Sequence, residues 1–178
     1  MVASDLTPAL ASNPFFESLC PLLLQLKKRF DERRETLAFA ESCTGGLLSA
    51  ALTSLPGVSS FYLGAVVSYH HSVKDKILRV PMSTIQVLGE VSIPVALDMA
   101  RGAKEALGST WAVSITGVAG PSGGTKEKPV GTVCFGFLGP GVTENATKYF
   151  SPSTEPPQSR ESIQQKSVAF ALQYLLNL

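Results

Sequence analysis

The sequence predicts a three-layer α/β/α sandwich around a mixed, mainly parallel sheet of about five strands. Short runs of β-branched and aromatic residues alternate with segments whose apolar residues recur every three or four positions. Only Gly139, Pro140 and Gly141 separate the last two predicted strands, which is typical of a hairpin and makes the sheet mixed. With 178 residues, 44% of them apolar, the chain can bury one sizeable core.

The strands are predicted where β-branched, aromatic and small apolar residues run together between turn residues. The stretch between the third and fourth strands is too rich in glycine for a helix or a strand, and we expect a functional or structural loop there. By these criteria the strands cover residues 36–40, 61–69, 111–115, 130–138 and 142–150.

The helices are predicted from their apolar periodicity and their end signals. In the first helix, Pro21 marks either the true start or a kink. Ser92 is placed to cap the long central helix, whose inward stripe is expected to reach Ala106 and which Gly108 ends. The predicted helices cover residues 15–34, 47–55, 72–78, 83–88, 92–107 and 158–178.

Composition narrows the classes of function. We expect a flexible tail over residues 1–14 and a single domain over 15–178. The formal net charge of +1 gives no electrostatic footprint for nucleic acid or an anionic membrane, so a small ligand is the expected partner. Three scattered cysteines, no long apolar run and no early basic residue indicate a cytoplasmic protein with reduced thiols.

The residues that follow the first strand, Glu41 to Gly46, are one place where chemistry is expected, because open α/β sheets bind ligands beyond the carboxyl ends of their strands. Ser42 and Thr44 precede a helix whose free N–H groups and dipole could stabilise an oxyanion. Gly45 and Gly46 would let a substrate approach the backbone. The alternative is that Ser42 or Thr44 merely caps that helix.

Cys43 competes with Ser42 for the role of nucleophile, because a thiol near a helix N-terminus can ionise more easily. The only two histidines, His70 and His71, follow the second strand and could activate it. The alternatives are a packed, inert Cys43 and two exposed loop histidines, which make no metal site without further ligands.

Lys74 and Lys76 lie close to Tyr69, and a desolvated lysine can act as a general base for a serine. Composition does not choose between the two lysines. Either could instead be a solvated surface charge, and Tyr69 could be a strand-end residue with a wet hydroxyl. The glycine-rich stretch from Thr116 to Thr125 could wrap a ligand, but it matches neither the P-loop nor the dinucleotide pattern.

Four blocks together resemble the signature of the CinA C-terminal family of nicotinamide-nucleotide deamidases. They are AESCTGG at residues 40–46, PGVSSFY at 56–62, TGVAGP at 116–121 followed by Gly123 and Gly124, and EKPVGTV at 127–133. The blocks occur in the family's order and spacing over most of the chain.

This resemblance implies hydrolysis of the carboxamide of nicotinamide mononucleotide to nicotinic acid mononucleotide and ammonia, without a metal or cofactor. It implies Ser42 as the nucleophile, Lys74 as the base and Tyr69 as a residue that orients Lys74 or relays its proton. It also suggests a homodimer. The residues expected to bind the pyridine nucleotide or form the oxyanion hole are Cys43, Thr44, Gly45, Gly46, Thr116, Gly117, Ala119, Gly120, Gly123, Gly124 and Arg160.

Three departures from the family pattern keep other functions open. Residues 70–73 differ from the usual loop before the lysine, residues 151–159 form an insertion before the last helix, and Gln164 replaces a second arginine. The family's additional N-terminal pyrophosphatase domain is not recognisable, so we expect only the amidase half. The alternatives are a nucleotide-binding or scaffolding domain with little or no amidase activity, and a thiol hydrolase built on Cys43.

Overall fold

The structure, a computed structural model, describes residues 13–151 and 158–178. The predicted tail therefore lies almost entirely outside the described residues, as does most of the predicted insertion. In chain order the elements are α1 (Pro14–Arg33), β1 (Leu37–Glu41), α2 (Leu47–Thr53), a short 3-10 helix (Val58–Ser60), β2 (Tyr62–Val67), α3 (His71–Lys76), α4 (Met82–Leu88), α5 (Ile93–Leu107), β3 (Trp111–Gly117), β4 (Thr132–Gly139), β5 (Val142–Tyr149) and α6 (Arg160–Leu176).

One five-stranded sheet has the order β2-β1-β3-β4-β5. Strand β1 pairs in parallel with both β2 and β3, whereas β4 pairs antiparallel with β3 and β5. All strands except β4 therefore point in the same direction. This confirms the predicted mixed, mainly parallel sheet, with the hairpin at its end.

Helices cover both faces of the sheet, which confirms the three-layer architecture. The larger core lies under α1, α2 and α6 and includes Leu23, Phe39 and Leu172. The smaller core lies under α5 and the segment before it and includes Val80 and Met99. Burial of these apolar side chains is the main favourable contribution to the fold.

A few details differ from the sequence expectations. Helix α1 begins at Pro14, where the side chain of Asn13 accepts a hydrogen bond from the Phe15 N–H, so Pro21 lies inside the helix rather than at its start. Ser92 precedes α5, but its hydroxyl donates to the Gly89 carbonyl and does not cap the helix. Ala106 is exposed rather than inward-facing, because the buried face of α5 follows other positions.

Within the residues that the structure describes, no helix combines the length and apolar character needed to cross a membrane.

Candidate active site

A cleft of about 290 Å³ opens beyond the carboxyl ends of β1 and β3. This is the edge where a sheet of this type is expected to bind ligands. The cleft brings together residues from all three segments that the sequence indicated. Its lining residues are Ser42, Cys43, Tyr69, Glu90, Val91, Thr116, Gly117, Val118, Ala119, Gly120, Ser122, Gly123 and Arg160.

Ser42 and Lys74 meet at this cleft. The Lys74 side chain is 0% exposed, and its Nζ lies 3.1 Å from the buried Ser42 Oγ. Strand β1 ends one residue before Ser42, and α3 carries Lys74. The expectation that a lysine here is an ordinary solvated charge is wrong for Lys74, whereas Lys76 is exposed.

The contacts of Lys74 Nζ orient it towards Ser42. The Ser68 carbonyl oxygen and Glu90 Oε2 each lie 2.8 Å from Nζ. A carbonyl oxygen and an ionised carboxylate accept hydrogen bonds and cannot donate them. The Ser42 hydroxyl is the neighbour that can donate. These two acceptors therefore hold Lys74 Nζ beside Ser42 Oγ.

Glu90 is a site residue that sequence reasoning missed. It follows Gly89 in the connection between α4 and α5, lines the cleft and is 39% exposed. Its other oxygen, Oε1, lies 3.6 Å from His71 Nδ1. No motif in the sequence links Glu90 to Lys74, because the two residues lie on different segments that come together only in the folded protein. The one available signal was an acidic residue beside a glycine just before a long helix.

Glu41 is a second carboxylate that the sequence did not single out. It is 0% exposed and accepts hydrogen bonds from the Thr44 and Ser49 hydroxyls and from three backbone N–H groups, those of Gly46, Leu48 and Ser49. Its carboxylate therefore occupies the N-terminus of α2, where a negative charge is favoured.

This arrangement corrects two expectations about the turn after β1. The first N–H groups of α2 are not free for an oxyanion, because Glu41 holds them, and the Gly45 N–H donates to the Ser42 carbonyl. Neither Ser42 nor Thr44 caps α2 with its side chain. Among the described residues, the N–H groups of Cys43 and Thr44 have no carbonyl or side-chain acceptor from another residue, which narrows the predicted oxyanion hole to these two.

Cys43 lines the cleft but is buried. Burial raises the pKa of its thiol to about 12, so the thiol is neutral at physiological pH and a poor nucleophile. His70 accepts from the Ser72 N–H and caps α3, and His71 faces Glu90 rather than Cys43. Within the described ranges, no group of three or more His, Cys, Asp or Glu side chains is positioned to hold a metal ion.

Tyr69 and Arg160 form the outer wall of the cleft. The Tyr69 hydroxyl accepts from Arg160 Nη2 at 2.9 Å, while Arg160 Nη1 donates to the Gly120 carbonyl at 2.8 Å. The contact between Tyr69 and Lys74 runs through the Tyr69 backbone carbonyl, 3.4 Å from Nζ, and not through the phenol. Gln164, one turn along α6, donates to the Cys43 carbonyl.

The predicted ligand-binding residues fall into two groups. The residues that line the cleft include Thr116, whose hydroxyl donates to the Glu90 carbonyl at 2.9 Å; the others are Cys43, Gly117, Ala119, Gly120, Gly123 and Arg160. The other predicted residues are not among the lining residues of the cleft, and Thr44 is turned towards Glu41. These are Thr44, Gly45, Gly46 and Gly124.

Comparisons with known proteins identify the family of this chain. The model of the CinA C-terminal domain matches residues 21–178, most of the chain. The chain belongs to the CinA C-terminal domain family. The CinA-like protein of Prochlorococcus marinus subsp. pastoris is 47% identical over 148 residues, which is 83% of this chain and 33% of that protein. A CinA-like protein of Trichormus variabilis is 52% identical over 115 residues, 65% of this chain and 28% of that protein.

Solved structures of CinA proteins share the fold. The competence/damage inducible protein CihA of Agrobacterium tumefaciens gives a TM-score of 0.84 at 32% identity, covering 93% of this chain and 98% of that one. The competence damage-inducible protein A of Klebsiella pneumoniae gives 0.82 at 32% identity, covering 93% and 96%. The chain spans about a third of the length of the CinA-like relatives that it matches.

Proposed function

We propose that this CinA C-terminal domain hydrolyses the carboxamide of nicotinamide mononucleotide to nicotinic acid mononucleotide and ammonia. The observation that carries the proposal is the 3.1 Å contact between Ser42 Oγ and the fully buried Lys74 Nζ at a cleft. A nucleophile within hydrogen-bond reach of a base is the arrangement that covalent amide hydrolysis requires. The choice of substrate rests on the family resemblance.

The reaction begins with a neutral Lys74. Ser42 Oγ attacks the amide carbon while Lys74 Nζ takes the hydroxyl proton. The N–H groups of Cys43 and Thr44 would hold the oxyanion of the tetrahedral intermediate. Lys74 then gives the proton to the amide nitrogen, the C–N bond breaks, and ammonia leaves an acyl-enzyme on Ser42.

Deacylation uses the same groups in reverse. Water attacks the acyl carbon, Lys74 takes a proton from the water, and the collapse of the second tetrahedral intermediate releases the carboxylic acid. The proton on Lys74 returns to Ser42 Oγ. The overall balance is one amide and one water converted to one acid and one ammonia, with no redox change.

The outer cleft would recognise the nucleotide part of the substrate. Its volume of about 290 Å³ lies at the lower end of ligand pockets, roughly 300 to 1,000 Å³, which suits one mononucleotide better than a dinucleotide. Arg160 has N–H groups beyond the two that bind Gly120 and Tyr69. A guanidinium is well suited to phosphate, so we assign the phosphate to Arg160 and the neighbouring glycine loop.

An ammonia-release assay tests the proposal. Nicotinamide mononucleotide, nicotinamide riboside, free nicotinamide and glutamine are compared with the wild type and with Ser42→Ala. Ser18→Ala, on the first turns of α1, is the matched control for removal of a hydroxyl. We expect ammonia chiefly from the mononucleotide, abolished only in Ser42→Ala. Binding of the mononucleotide without ammonia release would instead favour a binding or scaffolding domain.

A further inference from the structure

We propose that Glu90 is a positioning residue of this site, which aims Lys74 at Ser42 and neutralises the ammonium that forms when Lys74 takes the serine proton. The inference rests on the proposed function, because it assumes that Ser42 and Lys74 act as nucleophile and base. It adds Glu90 to Ser42 and Lys74 as a third residue of the proposed catalytic group, a role that neither the family model nor the names of the relatives assign.

Several hydrogen bonds fix the position of Glu90. Its carboxylate contacts Lys74 Nζ at 2.8 Å, and its backbone carbonyl accepts from the Thr116 hydroxyl at 2.9 Å. The residues on either side are also held, since Ser92 Oγ donates to the Gly89 carbonyl and Lys128 Nζ donates to the Leu88 carbonyl. Contacts from β3, from α3 and from Lys128 in the connection between β3 and β4 thus fix the segment that carries Glu90.

Charge gives Glu90 two opposing effects on Lys74. When Lys74 accepts the proton of Ser42, a positive charge develops in a fully buried side chain, and the carboxylate beside it stabilises that charge. The same carboxylate also contacts Lys74 before the reaction, so removing its charge should allow the reaction at lower pH even though each proton transfer is slower. A residue with only a packing role would have neither effect.

Other charged or titratable groups surround the pair, and their contacts differ from those of Glu90. Arg160 is bonded to Tyr69 and Gly120, Glu41 is bonded within the N-terminus of α2, and Cys43 is a neutral thiol. His71 lies 3.6 Å from Glu90 Oε1 and can influence the carboxylate from the solvent side. In the described part of the chain, Glu90 is the carboxylate in contact with Lys74.

The test measures how fast Ser42 is modified by a fluorophosphonate as a function of pH, alongside ammonia release. In this labelling, Ser42 Oγ displaces fluoride from phosphorus and its proton passes to Lys74, so the rate reports the serine and lysine pair without any amide substrate. Glu90→Gln keeps an acceptor but removes the charge. Glu144→Gln, on the edge strand β5, is the matched control, and His71→Ala tests the neighbouring imidazole.

We expect Glu90→Gln to lower the plateau labelling rate about ten- to a hundredfold and to move the ascending limb of the pH profile to lower pH. Glu144→Gln should change neither, and His71→Ala should leave the plateau within about twofold. An unchanged profile in Glu90→Gln would overturn the proposal, as would a lower plateau without a shifted limb. If wild-type Ser42 is labelled with this pattern but no carboxamide releases ammonia, the proposed function fails and the role of Glu90 stands.

Discussion

The two segments that border the cleft differ in how firmly they are held. The segment from the end of β1 through the turn into α2, residues 41–49, is organised around Glu41, whose carboxylate accepts five hydrogen bonds. In the loop after β3, residues 118–124, the last four residues are exposed. At the start of the loop, Val118 forms backbone hydrogen bonds with Thr132 and Gly131, and beyond it the Gly120 carbonyl accepts a hydrogen bond from Arg160 Nη1.

This difference suggests a division of labour. In the proposed mechanism the attacking hydroxyl must be placed accurately, since a misplacement of about 1 Å can cost a hundredfold in rate, and the hydrogen-bonded turn would provide that placement. The loop would contact only the non-reacting part of a ligand, which needs less accurate placement. Changes in the turn and its lysine should therefore reduce kcat, whereas changes at the loop should act on the use of particular substrates.

The largest effect is expected at Ser42. Ser42→Ala should lower kcat by at least about a thousandfold, because no neighbouring group replaces the attacking hydroxyl. The side chain is small, and within residues 13–151 and 158–178 its one side-chain hydrogen-bond partner is Lys74 Nζ, so the fold should survive. Steady-state ammonia release and a thermal unfolding curve measure both effects, and near-normal turnover in this variant would contradict the mechanism.

Lys74→Arg should be almost as damaging, although it keeps the positive charge. A guanidinium does not give up its proton at any accessible pH, so it cannot act as a base. The loss of kcat should exceed a hundredfold at every pH tested. Lys76→Arg, on the exposed side of α3, is the matched control and should be active. A mild effect of Lys74→Arg would point to another base.

Glu41→Ala should remove the hydrogen bonds that organise the turn and lower the free energy of unfolding. Five donors lose their acceptor, three of them backbone N–H groups at the start of α2. Hydrogen bonds to a charged group contribute about 1.5 to 3 kcal/mol each, and water can replace only some of them, so we expect a loss of roughly 3 kcal/mol in unfolding free energy. Urea unfolding measures it; a change under about 1 kcal/mol would mean that Glu41 is not the organiser of the turn.

Arg160→Ala tests the other side of the comparison. Its loss should lower kcat/KM for nicotinamide mononucleotide by about ten- to a hundredfold, because a charge-assisted bond of roughly 1.5 to 3 kcal/mol disappears. Nicotinamide riboside lacks the phosphate and should be nearly unaffected. Equal losses for both substrates would show that Arg160 supports the loop through Gly120, or Tyr69, rather than reading the phosphate.

The sequence predicted the fold better than it predicted the site. The spacing of apolar residues predicted the helices and strands of the three layers, and the turn at Gly139 to Gly141 predicted the hairpin. Both signals lie within a few consecutive residues, so they can be recognised without the folded structure. The position of Ser42 after a strand and before a helix placed it at the predicted ligand-binding edge, whereas its role as the nucleophile came from the family resemblance and stays a prediction. Glu41 and Glu90 were missed, since their roles depend on contacts with α2 and Lys74 that arise only when distant segments meet.

The smallest effect is expected at Cys43, which neighbours the nucleophile but takes no part in the proposed chemistry. Burial raises the pKa of this thiol to about 12, whereas in the unfolded chain it ionises near pH 8.5. The folded state therefore binds the proton more tightly, and the resulting stabilisation is fully present below about pH 8.5 and is lost as the pH rises towards 12. Between pH 8 and pH 10 the free energy of unfolding should fall by about 1 to 2 kcal/mol more in the wild type than in Cys43→Ala, which should remain active. Urea unfolding of both proteins at the two pH values measures this difference. Parallel declines would show that the thiol is accessible in the folded protein, and loss of activity in Cys43→Ala would reopen the case for a thiol nucleophile.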